Sequence, residues 1–456
     1  MNRAAAGTLV AFALIAGRGP GAFAQSASDL DPRIVQLVGQ VSEDRLAATL
    51  RKLETFGTRN TMSSVDTPGR GIGGARQWIF DEMKGYSPRL QVSYDTYRIA
   101  TQGRITRDVE ARNIVTVLPG RSTRRIYVSG HYDTVAVVGG QKERNGDAAQ
   151  QPLAIAEPDA AAPGVNDDGS GVALTMELAR VFSQSGLEFE ATLVFMCHVA
   201  EEQGLMGAKL HAQKAAREHI QIDAVLNNDI VGNDRGGNGV IDGASIRVYS
   251  EGPEDSSSRE LARYVQRWGG RYVPSHRVRL LSRPDRFLRS GDHTAYNQYG
   301  FAAVGFRESR ENFTRQHDAR DTFEGLSPSY LAQNARVNAA VASTLALAPP
   351  APVVVTEKGQ PTINRAPSGY DAHLQWKASS GASAYRIFWR EAWGPDWQHE
   401  MLVGNVTETT LPNALIDDLV FGVAAVDASG HESLVSPYIA PRSTAVDAGD
   451  VKTVPQ

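Results

Sequence analysis

A chain of 456 residues, 41% hydrophobic and 21% charged, is long enough for two or three domains and buries a large core. Its formal net charge of -4 offers no basic field for nucleic acid, and a single cysteine, Cys197, excludes an internal disulfide. Stability must come from the core, from metal, or from both, and Cys197, inside an apolar run, reads as a small buried hydrophobe rather than a reactive thiol.

The first residues combine Arg3, an apolar run from Ala4 to Ala16, and Ala22-Phe23-Ala24 ahead of Gln25. This is the three-part pattern of an export signal, here cleaved after Ala24. The run falls short of the roughly 20 apolar residues of a membrane span, so the mature protein is expected to be periplasmic or secreted, without an integral anchor. In "DPRIVQLVGQVSEDRLAATLRKLETFG", Ile34, Leu37, Val41, Leu46 and Leu50 follow a helical spacing broken at Ser42 and Glu43, which predicts two short helices. Residues 74–85 predict another helix, "LQVSYDTYRI" and "RNIVTVLPG" two strands, and "RRIYVSG" a central strand. The helix "GSGVALTMELARVFSQS", the strand "ATLVFMC", a helix after Gly204 and the strand "DAVLNND" continue the alternation. Such a pattern predicts an α/β fold with a mixed, mostly parallel sheet flanked by helices.

Further along, Ser257 and Glu260 suggest a capping box, and Ser327 with Pro328 opens a helix that closes the main domain, 25–348. A Pro- and Ala-rich joint follows. Beyond it, short strands recur at about ten-residue spacing, predicting a small all-β sandwich over 349–445 with Trp376, Tyr385 and Trp389 as core aromatics, then a tail, 446–456.

Polar residues interrupt the strands of the main domain at their carboxyl ends. "GHYDT" supplies His131 and Asp133, "VNDDGSG" supplies Asp167 and Asp168 ahead of a helix, "HVAEEQG" supplies Glu201 and Glu202, and "NNDIV" supplies Asp229. A late loop, "TRQHDARDT", adds His317. Strand ends of an open α/β sheet face one crevice, so these side chains can meet. Two imidazoles and three carboxylates make a mixed nitrogen and oxygen shell suited to Zn²⁺. One carboxylate shared between two ions, with one His and one further carboxylate on each, makes a two-metal site. Adjacent glutamates then have a purpose: one ligates, and its neighbour is free to take a proton.

The ordered set "HYD", "NDDGSG", "EEQGLMG", "NND" and "QHDARDT" resembles the M28 family of zinc-dependent aminopeptidases over roughly 30–348. The resemblance implies a zinc exopeptidase fold, two Zn²⁺ ions and peptide substrates with a free N-terminus. It implies that His131, Asp167 and Asp229 hold one ion, and Asp167, Glu202 and His317 the other. Asp167 takes the bridging place because it stands three residues before Ser170 in the family's pattern, and the 167–168 peptide is expected to be cis. Glu201 matches the general base acting on a metal-bridging water, and Asp133 the residue orienting His131. Asp168, His293 and Glu308 are candidates for places behind the ligands or along the substrate cleft.

The chain also departs from the family. Gly291 stands where small bacterial aminopeptidases carry a Ser, and no Tyr lies directly upstream to hold the oxyanion; Arg286 and Arg289 are the cationic candidates for that role. The 137–162 insertion is expected to flank the cleft. His198 reads as a hydrogen-bonded strand histidine, Asp292 as a helix cap and Asp321 as a loop-fixing residue. The C-terminal sandwich resembles a fibronectin type III module without its usual tyrosine, and is expected to contact envelope or partner. The same fold also admits a glutaminyl cyclase or a carboxypeptidase. An inactive binding protein is disfavoured because every ligand is present.

Overall fold

The computed structural model describes residues 30–138 and 155–439. The export signal, the body of the insertion and the tail read from the sequence lie outside the described residues.

Two helices open the described chain, α1 (Pro32–Gly39) and α2 (Glu43–Glu54), with Asp31 and Ser42 as caps whose side chains accept from Arg33 and Arg45 amides. Each buries one stripe, Ile34, Leu37 and Val38 in α1 and Leu46, Leu50 and Leu53 in α2. They are followed by α3 (Gly71–Tyr86), β1 (Gln91–Ile99), β2 (Val109–Leu118), β3 (Arg125–His131), α4 (Gly169–Gln184), β4 (Thr192–His198), α5 (Met206–Arg217) and β5 (Ile222–Asn228). The rest of this part comprises β6 (Ser245–Ser250), α6 (Ser257–Tyr272), β7 (Arg277–Leu281), α7 (Asp292–Gln298), β8 (Ala303–Glu308) and α8 (Pro328–Leu347).

The eight strands form one sheet in the order β1-β2-β4-β3-β5-β8-β6-β7. Pairings β4/β3, β3/β5, β5/β8 and β6/β7 are parallel; β1/β2, β2/β4 and β6/β8 are antiparallel. The sheet is thus mixed and mostly parallel, as the alternation of elements predicts. Both faces are covered because the central strands are apolar on both sides. Ile126, Val128, Leu193, Phe195, Ala224 and Leu226 enter the larger core, whereas the intervening Tyr127, Val194, Met196 and Val225 enter a second cluster with Ala208, Ala212 and Tyr296 from α5 and α7. Cys197 is fully buried in the larger core, where burial pushes its thiol well above the usual range.

Two helix starts differ from the sequence reading. The cap of α6 is Ser256, not Ser257: the Ser256 Oγ accepts from the Arg259 amide at 3.1 Å. Glu260 does not reach back to close a capping box, because its carboxylate accepts from Arg263 and from the Trp397 indole. Ser327 stands at the cap position of α8, but its side chain makes no capping bond there.

The C-terminal strands are β9 (Ile363–Asn364), β10 (Ala372–Gln375), β11 (Ala384–Glu391), β12 (His399–Val403), β13 (Glu408–Leu411), β14 (Leu419–Val426) and β15 (Ser436–Pro437). They form two antiparallel sheets, β13-β10-β9 and β12-β11-β14-β15, around one apolar cluster. Trp376 and Tyr385 meet there with ring centroids 5.3 Å apart, and Trp389 packs half-buried at the edge of the cluster. The opposite face of β11 turns Arg386 and Phe388 toward α6, where Arg267 lies 5.3 Å over the Phe388 ring. Among the described residues, no helix is long and apolar enough to cross a membrane.

Candidate metal centre

Three parallel neighbours, β4, β3 and β5, end side by side, and the loops leaving them carry the acids. Asp168 fastens these ends together. Its carboxylate accepts from the His131 amide at 3.0 Å, the Gly171 amide at 2.8 Å and the Ile230 amide at 3.2 Å, capping α4 against the tips of β3 and β5. The approach is so close that a Cβ on Gly171 would lie 2.1 Å from the Asn228 carbonyl oxygen, so only glycine fits there. The Asp167–Asp168 peptide is cis. Ala200, Ile230 and His317 all have φ between 52° and 58°. Each adjoins or is a site residue, and left-handed backbone at a β-branched residue such as Ile230 persists only where its surroundings hold it.

Two trios of side chains converge here. In each, His131/Asp167/Asp229 and Asp167/Glu202/His317, one candidate ligand atom per residue lies within 4.8 Å of the others. His131 Nε2 is 3.4 Å from Asp167 Oδ1 and 3.7 Å from Asp229 Oδ1. His317 Nε2 is 3.1 Å from Asp167 Oδ2 and 3.2 Å from Glu202 Oε2. Asp167 alone belongs to both trios.

The trios fit a metal. His131 Nε2, Asp167 Oδ2, Glu202 Oε1 and Asp229 Oδ1 are buried without a hydrogen-bond partner, a costly arrangement for polar atoms. The tautomer of His131 suits it too: Nδ1 is 3.0 Å from the Asp133 carbonyl oxygen, which leaves the Nε2 lone pair for an ion. Burial opposes protonation of His317, yet Glu202 and Asp167 hold its pKa up at about 10, so metal binding at neutral pH displaces a proton.

Glu201 stands apart from both trios. Its amide donates to Asp133 Oδ1 at 3.1 Å, and its carboxylate lines the cleft 3.9 Å from His131 Nε2. Burial pushes that carboxyl well above the usual range, with the charges of Glu202, Asp229 and Asp292 adding to the shift and His131 opposing it. The cleft measures about 440 Å³ and is lined by both trios' carboxylates, His317, Arg104, Leu288 and Arg289, among others. A larger cavity of about 650 Å³, next to the C-terminal strands, contains no residue of either trio.

Several residues act differently from the sequence reading. Asp133 lies beside His131 as expected, its carbonyl oxygen 3.0 Å from Nδ1, and beyond that reading its carboxylate holds the Glu201 and Glu202 amides at 3.1 and 3.2 Å. His293 does not line the cleft: it is fully buried, 2.7 Å from the Pro284 carbonyl oxygen and packed on Gly305 of β8. Glu308 is also fully buried, accepting from the Asn166 side chain and the Asn233 amide at 2.9 Å each, so it braces loops instead of touching substrate. Asp321 fixes the loop as expected, accepting from the Asn166 and Asp167 amides. Asp292 is no cap. It occupies the first turn of α7 with both carboxylate oxygens buried and without hydrogen bonds, and burial raises its pKa to about 8, against the pull of His131 and with help from Asp133 and Asp229.

Two fully buried arginines carry no signal in the sequence. Arg59 donates to the carbonyls of Tyr132, Pro163 and Gly164 at 2.6 to 2.8 Å, tying the His131 loop to the Asp167 loop. Arg307 pairs with Asp229 on one side and with Asp285, at 2.8 Å, on the other. A Cβ on Gly291 would sit 2.2 Å from its guanidinium, which accounts for glycine where the family pattern has serine.

Sheet, crevice and paired donor sets together have the arrangement of a metal-dependent enzyme built on a mixed α/β sheet. The chain matches the model for Peptidase family M28 across residues 113–342. It is similar to a probable zinc metalloprotease of Pyricularia oryzae, 34% identical over 444 residues, covering 88% of this chain and 84% of the relative. A probable zinc metalloprotease of Pyrenophora teres f. teres is 31% identical over 88% of this chain and 86% of its own length. Such coverage runs beyond the eight-stranded part into the C-terminal strands. The fold is shared with the crystal structure of the Legionella pneumophila LapA aminopeptidase, at a TM-score of 0.53 and 20% identity over 69% of this chain and 75% of that one. It is also shared with the Fimbriiglobus ruber glutaminyl cyclase, at 0.51 and 18% over 66% and 95%. The chain belongs to peptidase family M28, the zinc metallopeptidases, whose substrates are peptides.

Proposed function

We propose that this protein is an exported di-zinc aminopeptidase that removes N-terminal residues from peptides. The observation that carries this reading is the pair of trios sharing Asp167, with Glu201 left outside both. His131, Asp167 and Asp229 would hold one zinc ion, and Asp167, Glu202 and His317 the second. When bound, zinc polarises the scissile carbonyl and acidifies water. Glu201 takes the proton of the attacking water and hands it to the departing amine. Its carboxylate lines the cleft outside both trios, free for both halves of that task, and Asp133 holds its amide at 3.1 Å. The carboxylates of Glu201, Glu202 and Asp229 at the cleft favour a substrate that brings a free amine. Export rests on the pattern of the first 24 residues. The C-terminal strands we read as a fibronectin type III-like sandwich for envelope or partner contact, a reading supported by seven strands in sheets of three and four.

The test is metal content together with hydrolysis of free and N-acetylated aminoacyl amides by wild type and Glu201→Gln. The expected result is about two zincs per chain, turnover of free-amine substrates only, and a loss of roughly 10²- to 10⁴-fold in kcat for Glu201→Gln with metal retained. One zinc with cyclisation of N-terminal glutamine would replace this reading with a cyclase. Bound metal without turnover would leave only binding.

A further inference from the structure

The cleft wall carries arginines that this hydrolysis does not use. Arg247, Arg286 and Arg289 converge on one carboxylate, Glu311, at 2.5, 3.1 and 3.2 Å. Arg286 also pairs with Asp285 at 3.0 Å, and Asp285 in turn takes Arg307. Setting aside Asp229, which the proposed function assigns to metal, four guanidinium groups stand against two carboxylates in this cluster. Positive charge is therefore in surplus on this one wall of the cleft, opposite the carboxylates of the two trios, and would attract an anion there.

That surplus has one outlet. Arg286 and Arg289 lie on the same loop and both border the cleft, but they are held differently. All three Arg286 guanidinium nitrogens donate within the protein, to Asp285, Glu311 and the Ser290 carbonyl, and its side chain is 8% exposed. Arg289 is anchored through Nη1 alone, to Glu311 Oε2 at 3.2 Å and Gln316 Oε1 at 3.0 Å. Its Nε and Nη2 donate to nothing among the described residues, and its side chain is 24% exposed. An arginine that served only to hold the loop would look like Arg286. A second half-anchored arginine, Arg104 from the β1–β2 connection, lines the same cleft and donates through Nη1 to the Glu202 carbonyl at 2.8 Å. Fixed guanidinium edges of this kind match the planar fork of a carboxylate.

We propose that Arg289, assisted by Arg104, binds a substrate carboxylate, so that the enzyme favours peptides with an anionic group close to the scissile bond. The inference rests on the aminopeptidase reading and narrows it. Two sources would supply the same chemistry: the α-carboxylate of a dipeptide, or an acidic side chain next to the cleaved residue.

Zinc-loaded full-length protein would be assayed on Ala-Ala against Ala-Ala-amide, and on Ala-Asp-amide against Ala-Asn-amide. The expected result is that at least one carboxylate member exceeds its neutral partner in kcat/KM by roughly tenfold or more, as a charged hydrogen bond implies. The first pair reports the α-carboxylate and the second the side chain. Arg289→Gln should collapse the favoured ratio through KM, Arg289→Lys should recover part of it, and Arg104→Gln should lower it less. Ratios near one in both pairs, on an enzyme that cleaves the neutral amides, would overturn the carboxylate site and leave the aminopeptidase intact. An equal fall in kcat on both members of each pair in Arg289→Gln would assign the residue to transition-state stabilisation and overturn it as well. Calorimetric binding of the same peptides to zinc-loaded Glu201→Gln decides the question without turnover. Tighter binding of a carboxylate member than of its amide, lost in the Arg289→Gln double variant, supports the site, and equal binding refutes it.

Discussion

At the seam between α6 and β11, the buried carboxylates meet cations or an indole; at the carboxyl end of the central sheet, donor atoms of four buried residues meet no hydrogen-bond partner. Glu260 lies between Arg263, 2.7 Å away, and the Trp397 indole, 2.9 Å away. Glu432 accepts from Arg386 at 2.8 Å and has Arg267 at 3.5 Å. Arg267 also holds Glu400, and His431 bridges Asp427 and Asp31 at 2.7 and 2.8 Å. Both regions bury charge at considerable desolvation cost. Pairing of its carboxylates turns the seam into glue, whereas unpaired ligand atoms leave the sheet end suited to an ion.

The largest effect that would sharpen this contrast is expected at Arg307, a fully buried cation that pairs with a candidate ligand, Asp229. Arg307→Met leaves Asp229 and Asp285 without their shared partner and should lower the unfolding free energy of the zinc-free protein by about 3–5 kcal/mol. In excess zinc the loss should shrink, since metal takes over the charge of Asp229; urea unfolding with and without zinc would reveal an equal loss in both if this account were wrong. Next in size, Glu432→Gln at the seam should cost about 1–3 kcal/mol. Here zinc should make no difference to the cost, and a zinc-dependent value would break the distinction between the two regions.

The smallest effect is one of pH. Burial disfavours the charged form of His431, but Asp427 and Asp31 outweigh it and raise the pKa above 6.5. A histidine whose pKa is raised in the folded state contributes stability that is fully present below its unfolded value and is lost as pH rises through the folded one. Melting temperature should therefore fall as pH climbs above about 6.5, by an amount equivalent to about 1 kcal/mol for a buried imidazole held between two carboxylates. His431→Asn should flatten that slope. An unchanged slope would remove His431 from the seam's charge balance.

What could be read in advance follows the same divide. His131, Asp167, Glu202, Asp229 and His317 were legible because each interrupts an apolar strand or precedes a helix in a short motif, and such places converge by topology. The central strands were legible because Ile126 to Val128 and Leu193 to Phe195 are apolar without interruption. The strands β6 to β8 signal more weakly, since Arg247, Arg277, Arg279 and Arg307 break their pattern. Arg59 and Arg307 were silent because an arginine in a sequence looks solvated, and only the fold shows which carbonyl or acid surrounds it. Asp292 looked like a cap because Asp before a helix commonly is one. Its burial depends on α7 packing against α5 and β5, contacts distant in sequence.

The α6 seam has a practical corollary for anyone building chimeras from this chain. A module hung on a linker can be grafted elsewhere or replaced at will. This one shares Trp397, Glu400 and Glu432 with the helix it covers, and an arginine of that helix, Arg263, donates to the Pro395 carbonyl. Severing the chain at the proline-rich joint would expose the carboxylate of Glu260 and the flank of Phe388 at once. A successful graft would have to carry the helix surface along with the strands, so the natural cutting point lies within the first domain's own architecture and not at the joint that the sequence advertises.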